Sequence, residues 1–156
     1  MAVKRSIFRW TVVLTVLLMS GALGSATAMA AELGDYRWER RPLLVFAPAH
    51  SDPRLAETLS RIEATGCDFA SRDMVLGQVL ATGDSTLDGQ PVDAEQAQRL
   101  RTQFAVDTQA FTVVLIGKDG GEKLRVTGVP DLQRIYAVID GMPMRGNEIR
   151  ANPGRC

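Results

Sequence analysis

Cysteine and histidine, the residues that carry most redox and metal chemistry, are scarce in this chain. Its 156 residues contain two cysteines, Cys67 and Cys156, and one histidine, His50. The cysteines are far apart, so the chain has no Cys-x-x-Cys dithiol motif. No spacing of cysteine, histidine or carboxylate around His50 supplies further metal ligands. The sequence therefore predicts no metal site, no bound cofactor and no conventional dithiol chemistry.

An excess of charge is also absent. Eighteen basic residues balance eighteen acidic residues, and no long run of like charges occurs. A protein that follows a nucleic-acid backbone needs a basic surface, so a nucleic-acid partner is excluded.

Long hydrophobic runs are missing except near the start of the chain. Three basic residues precede the uncharged stretch Trp10–Ala31, whose small-residue end reads Ala28-Met29-Ala30. This pattern predicts a secretory signal peptide over residues 1–30, cleaved near Ala30. An uncleaved anchor is the alternative, because the uncharged stretch is about long enough to cross a bilayer. We expect a periplasmic or secreted protein that contacts the membrane only if this segment is retained.

Cleavage would leave 15 basic and 18 acidic residues in an oxidising compartment. There, Cys67 and Cys156 could form an intramolecular disulfide. A free or intermolecular thiol at Cys156 is equally consistent with the sequence, because that residue ends a Pro/Gly/Arg tail. The sequence names no partner, although export makes an envelope protein a candidate.

The mature chain reads as one domain over residues 31–150, followed by a flexible tail over residues 151–156. Leu43–Ala47 is almost continuously apolar, as expected of a strand buried on both faces. Asp93 and Gln96 form a capping-box pattern that begins a helix. In chain order we predict a strand at Leu43–Ala47, a helix from Asp52 to Gly66, a strand at Met74–Leu80, a loop at Ala81–Pro91, a helix from Asp93, strands at Phe111–Ile116 and Lys123–Thr127, and a helix from Asp131 to Gly141 and Pro143.

This order, β-α-β-α-β-β-α, predicts an α/β fold of the thioredoxin-like kind. Two βα units would place their strands in parallel, and the closing hairpin would add an antiparallel edge. The result is a central mixed sheet with helices on both faces. Before it, a short extended arm is expected to place the rings of Tyr36 and Trp38 over the edge of the core.

The first strand-to-helix junction is the candidate site, since a helix N-terminus stabilises a thiolate in thioredoxin-like enzymes. Here it contains His50, Ser51 and Asp52 and no cysteine. Alignment with a dithiol or a peroxidase pattern puts Ser51, Arg54 or Leu55 at the cysteine positions. Three adjacent residues cannot adopt the geometry of a catalytic relay, so we assign no catalytic residue. Asp52 is expected to cap the helix.

Several stretches resemble one known family. They are Tyr36-Arg37-Trp38, the segment from Leu43 to Pro48, Arg72-Asp73, the motif from Leu115 to Arg125 that contains Gly117, Lys118, Asp119, Gly120 and Gly121, and the motif from Ile139 to Arg145 that contains Asp140, Met142, Pro143, Met144 and Arg145. Together they are similar to the thioredoxin-like domain of unknown function DUF4174, also called P-DUDES, which occurs in vertebrate extracellular-matrix and sushi-repeat proteins. The resemblance implies export and a thioredoxin-like fold, and it implies no established reaction.

The two long motifs also have interpretations from their residues alone. The glycines and Lys118 within Gly117–Gly121 lead into a strand rather than a helix, which favours a hairpin turn over a phosphate-binding loop. Met142-Pro143-Met144 is interpreted as packing of the tail onto the sheet.

The sequence thus favours an exported, non-catalytic binding or envelope module whose ligand is unknown. A divergent thiol or peroxide oxidoreductase that uses Cys67 or Cys156 is the alternative. A structural role through disulfide-linked dimers is a third hypothesis.

Overall fold

A six-stranded mixed sheet forms the centre of the structure, a computed structural model that describes residues 32–153. The strands are β1 (Arg41–Ala49), β2 (Met74–Thr82), β3 (Ser85–Leu87), β4 (Gln90–Val92), β5 (Thr112–Ile116) and β6 (Glu122–Thr127), and their order across the sheet is β4-β3-β2-β1-β5-β6. The helices are α1 (Pro53–Ala64), α2 (Gly66–Ser71), α3 (Ala94–Gln103), α4 (Leu132–Asp140) and α5 (Pro143–Ala151), and a 3-10 turn spans Leu33–Tyr36.

Strand β1 lies centrally, as its apolar sequence predicts. It pairs in parallel with β2 and antiparallel with β5. Its residues from Leu43 to Ala47 have no exposed surface. Side chains that alternate along β1 divide the core into two layers. One layer packs under α1, α2 and α4, and the other packs under α3. Helices therefore cover both faces of the sheet, and the predicted thioredoxin-like α/β class is confirmed.

Strand β5 runs antiparallel to β1, so the closing hairpin supplies the antiparallel part of the mixed sheet, as predicted. The reason lies at the end of α3. There the Arg101 guanidinium donates to the carbonyl oxygens of Ala47 and Val79, near the carboxyl ends of β1 and β2. The chain thus leaves α3 near the carboxyl end of β1, and the next strand along β1 must run back towards its amino end.

The segment Ala81–Pro91, predicted as a loop, contains the short hairpin β3–β4. Its two central residues, Asp88 and Gly89, have φ angles of 51° and 75°. Positive φ at both positions is the requirement of a type I′ turn, which Asp-Gly satisfies readily. The strands were missed because each has only three residues.

Two predicted helix ends are instead helix beginnings. Gly66 starts α2, and Pro143 starts α5, where its ring suits the first turn. Only Arg145 is buried in α5, so this helix has no apolar stripe that the sequence could reveal. The domain therefore extends through a helix that ends at Ala151, where the sequence predicted the tail to begin.

The predicted signal peptide and Cys156 lie outside the described residues. Among residues 32–153, no helix has the length and apolar character needed to cross a bilayer.

Candidate functional site

At the strand-to-helix junction, the cap residue of α1 is hydrogen-bonded to the first turn of the helix. One carboxylate oxygen of Asp52 accepts hydrogen bonds from the backbone N–H and the Nε of Arg54, at 2.9 and 3.0 Å, and the other lies 2.6 Å from Nη2. The Arg54 hydrogen bonds lower the pKa of Asp52, outweighing burial, which raises it. The Arg54 guanidinium also stacks 5.0 Å from the centre of the Phe111 ring. Asp52 is therefore the helix cap that the sequence predicts.

The other two candidate residues of the junction form no hydrogen bond or ion pair with Asp52. His50 and Ser51 are exposed, and neither side chain makes a hydrogen bond or ion pair within residues 32–153. Leu55, at the position of a peroxidase cysteine, is 1% exposed. The junction thus brings together no nucleophile, base and acid.

Cys67 lies on α2 and is disulfide-bonded. It is therefore not a free thiol in this structure. Its predicted partner, Cys156, lies outside the described residues, so the pairing itself stays a prediction.

At the opposite end of β1, roughly 25 Å away for a strand of this length, four charged side chains form a largely buried cluster, with exposed fractions between 1% and 17%. Arg41 begins β1, Asp73 precedes β2, Lys118 follows β5, and Glu148 lies on α5. Arg41 donates to both Glu148 oxygens at 2.9 and 3.0 Å, and Lys118 Nζ lies 2.8 Å from Glu148 and 2.9 Å from Asp73. Arg41 is only 1% exposed. These groups, which we call the Arg41 cluster, place α5 against the sheet.

A second set of ion pairs adjoins the Arg41 cluster. Arg145 donates to the Ser71 carbonyl oxygen at 2.8 Å and lies 3.3 Å from Asp140, which also pairs with Arg72 at 2.7 Å. Burial raises the pKa values of Asp140 and Glu148, but their hydrogen bonds to basic side chains outweigh it, so both pKa values are lowered. Both carboxylates are thus stabilised in their charged form.

A cavity of about 300 Å³ opens beside the Arg41 cluster. We call it the Trp38 pocket, because Trp38 forms its exposed rim together with Met144; the two side chains are 59% and 43% exposed. Its wall is lined by Trp38, Arg41, Gly117, Lys118, Asp119, Lys123, Met142, Pro143 and Met144. The two long motifs found in the sequence therefore meet at one site.

The turn between β5 and β6 shapes one side of the Trp38 pocket. Asp119 accepts hydrogen bonds from the Gly121 N–H at 3.0 Å and from Lys123 Nζ at 2.6 Å. A Cβ atom at Gly117 would lie 2.4 Å from Lys123 Cε, so the lysine side chain crosses the turn directly over this glycine. The predicted hairpin is correct, and its Lys118 side chain turns inward to the Arg41 cluster.

The predicted extended arm is wrong, because residues 33–36 form a 3-10 turn. Tyr36 packs against the core as predicted, but Trp38 does not. Trp38 has φ 70°, a left-handed conformation that costs a bulky residue about 1–3 kcal/mol. Its N–H donates to the Lys118 carbonyl oxygen at 2.6 Å, which holds the backbone in place. The Arg37 guanidinium lies 5.3 Å from the centre of the indole ring. The backbone is therefore strained at Trp38, the residue whose indole ring is exposed.

Sequence reasoning assigned no role to Arg41 or Glu148, and it expected Trp38 to cover the core rather than to border a pocket. Arg41 had a usable signal, since it is a charged residue at the start of an otherwise buried strand. Glu148 had none, because its partners come from distant segments.

No group of three or more potential metal ligands occurs within residues 32–153. The Trp38 pocket is lined by apolar side chains and by Arg41, Lys118 and Lys123, each of which is paired with a carboxylate.

Comparison with known proteins shows the family of the chain. Coiled-coil domain-containing protein 80 of Danio rerio is 23% identical over 133 residues, which cover 75% of this chain but only 15% of that protein. Among solved structures, the reduced 2-Cys peroxiredoxin of Plasmodium vivax is similar, with a TM-score of 0.56 and 15% identity over 75% of this chain and 85% of the other. That likeness shows a shared fold. The family model named domain of unknown function (DUF4174) matches residues 32–148, and the chain therefore belongs to this family.

Proposed function

We propose that this protein is an exported, non-catalytic binding domain with a thioredoxin-like fold, and that the Trp38 pocket is its binding site. The observation that carries the proposal is the pocket itself, in which an exposed tryptophan and methionine border a cavity beside the Arg41 cluster. Exposed large apolar side chains around a concave site are typical of binding surfaces.

The absence of catalysis is supported by the opposite end of the sheet. The Asp52 carboxylate and the Arg54 guanidinium occupy the helix start where a redox thiolate would need the positive end of the helix. Neither group can cycle between thiolate and disulfide, so this junction has no redox chemistry.

An activity panel tests the catalytic part of the proposal. Insulin disulfide reduction with dithiothreitol and hydrogen peroxide consumption would be measured with the full chain and with its Cys67→Ser and Cys156→Ser variants. We expect all three proteins to match the rate without protein. Turnover that disappears in either variant would instead establish the oxidoreductase alternative.

Export is tested on the full chain expressed in a Gram-negative host. We expect the protein in the periplasmic fraction, with an N-terminus near Ala31. Protein that keeps residues 1–30 and sediments with membranes would contradict cleavage.

Non-reducing electrophoresis of the same material tests the structural alternative. A monomer band is expected from a binding domain whose disulfide is intramolecular. A dimer band that disappears in the Cys156→Ser variant would support the disulfide-linked structural role.

A further inference from the structure

Two of the three large apolar side chains that are exposed in the described residues border the Trp38 pocket. Within residues 32–153, three large apolar side chains are exposed, namely Trp38, Met144 and Ile149. The first two line the pocket, whereas Ile149 does not. With Met142 and Pro143 they form an apolar rim, and apolar rims of this kind anchor partner side chains at interfaces.

The charges that line the pocket are mainly positive. Arg41, Lys118 and Lys123 line it, and Asp119 is the one acidic residue of the lining. Glu148 and Asp73 neutralise Arg41 and Lys118 from behind, because neither carboxylate lines the pocket. Lys123 is likewise paired with Asp119, at 2.6 Å, so the cation beside the pocket that makes no ion pair within residues 32–153 is Arg37.

Arg37 adds an uncompensated charge at the rim. Its guanidinium stacks on the Trp38 ring, and it makes no ion pair within the described residues. It also approaches the turn at Gly120, where a Cβ atom would be 3.7 Å from Arg37 Nε. Tryptophan and arginine are both enriched at the energetic centres of protein interfaces.

We propose that the Trp38 pocket binds an extended protein segment that carries one large apolar side chain next to carboxylates. This inference rests on the proposed function and names the partner class for the same site. The apolar side chain would contact Trp38, Met142 and Met144, and the neighbouring carboxylates would pair with Arg37 and Lys123. A cavity of about 300 Å³ is at the small end of ligand pockets, so it suits one side chain better than a large cofactor.

Discrete acidic groups fit this rim better than a continuous anionic surface. The Asp119 carboxylate is 46% exposed at the pocket lining. A lipid surface would bring phosphates against it, whereas a peptide can place its carboxylates beside Arg37 and away from Asp119. Charge complementarity therefore favours an acidic protein segment.

The experiment selects binders from a display library of random nine-residue peptides on the full chain. The background is Trp10→Phe, which leaves Trp38 as the one tryptophan of the chain. Selection is repeated on the Trp38→Ala and Arg37→Glu variants. Matched controls are Ile149→Ala, an exposed apolar side chain outside the pocket, and Arg134→Glu, an exposed arginine on α4 that has no ion pair in the described part of the chain.

We expect the selected peptides to combine one Leu, Ile, Phe, Tyr or Trp with at least two Asp or Glu residues, and to change the Trp38 emission on binding. Trp38→Ala should weaken their binding at least tenfold and Arg37→Glu about tenfold, while both controls stay within about twofold. Binding should also weaken with salt, because its charges are exposed.

Other results overturn the inference in distinguishable ways. Peptides that depend on Trp38 but lack an acidic bias contradict the acidic partner and leave the proposed function standing. No Trp38-dependent peptide contradicts both. A blue shift of Trp38 with phosphatidylglycerol vesicles, without peptide selection, assigns the rim to a membrane. Sedimentation of a dimer that Trp38→Ala dissociates assigns it to a second copy of the chain.

Discussion

The two ends of β1 have opposite characters. At its carboxyl end, one cap and one ion pair begin α1, and the nearby His50 and Ser51 side chains have no partner among residues 32–153. At its amino end, charged side chains from four segments are buried together beneath an exposed apolar rim. The comparison indicates that this domain keeps the scaffold of thioredoxin-like proteins and concentrates its specific contacts at the other end of the sheet.

The energetic consequences of the two ends also differ. A buried ion pair contributes little net stability, but removal of one partner leaves a buried charge unpaired and is strongly destabilising. A helix cap contributes only about 1 kcal/mol. Substitutions should therefore have larger effects at the Arg41 cluster than at the junction.

The largest effect is expected from Glu148→Gln. This change leaves Arg41 and Lys118 without a shared carboxylate in a buried setting, so the free energy of unfolding should fall by about 3 kcal/mol. Urea denaturation followed by circular dichroism measures it. The control is Glu95→Gln, whose pair with Arg99 is exposed and should contribute less than about 0.5 kcal/mol. Equal losses from the two substitutions would show that burial of the Arg41 cluster has no energetic consequence.

Acid should lower the free energy of unfolding through the carboxylates near the amino end of β1. The pKa values of Glu148 and Asp140 are lowered in the folded protein, so the unfolded chain takes up protons first as the pH falls. Their contribution is fully present above the ordinary carboxyl pKa and is lost as the pH falls through the folded pKa values, by at most about 1.4 kcal/mol per pH unit for Glu148.

Urea denaturation between pH 7 and pH 3 checks this dependence. Glu148→Gln should flatten the acid limb of the stability profile. An unchanged slope in that variant would exclude Glu148 as a source of the acid sensitivity.

At the junction, Asp52→Ala should lower the free energy of unfolding by about 1 kcal/mol, because it removes the acceptor for the Arg54 N–H. Asp52→Asn keeps a capping oxygen and should cost less than about 0.5 kcal/mol. Thermal denaturation of the two variants separates the cap from the ion pair. A loss in Asp52→Asn as large as that in Asp52→Ala would assign the stability to the charge instead.

The smallest effect has the opposite sign. Trp38→Gly should relieve the left-handed backbone strain and raise the free energy of unfolding by up to about 1 kcal/mol, since the indole is largely exposed. The same change should abolish binding at the Trp38 pocket. Trp38→Ala, which keeps a Cβ atom and most of the strain, is the control and should leave stability nearly unchanged. Destabilisation by Trp38→Gly would mean that the indole contributes packing energy.

The elements that the sequence predicted well are those with strong local signals. Asp52-Pro53 marked the start of α1, the apolar run marked β1, and the Asp-Gly turn marked the β5–β6 hairpin, because each depends on neighbouring residues alone. Helix α5 was missed, since ion pairs with distant segments hold it rather than an apolar stripe.

The candidate site was likewise predicted only in part. Sequence resemblance identified the motifs from Leu115 to Arg125 and from Ile139 to Arg145, and residue chemistry excluded a redox junction. The sequence could not show that these motifs meet beside Arg41 and Trp38, and it placed the candidate site at His50, Ser51 and Asp52 instead. That assignment as a site stays a prediction, and the geometry supports only the capping role of Asp52.

By itself, the sequence determined the α/β class, the position of the central strand and the absence of a dithiol motif at the junction, because hydrophobic periodicity, turn residues and missing cysteines are local properties of the chain. The tertiary structure alone decided that the polar groups of four separate segments would be buried around Arg41 and that Trp38 would be left exposed above them. The physical reason is that a buried charge needs a partner, and the fold determines which distant side chains can reach it.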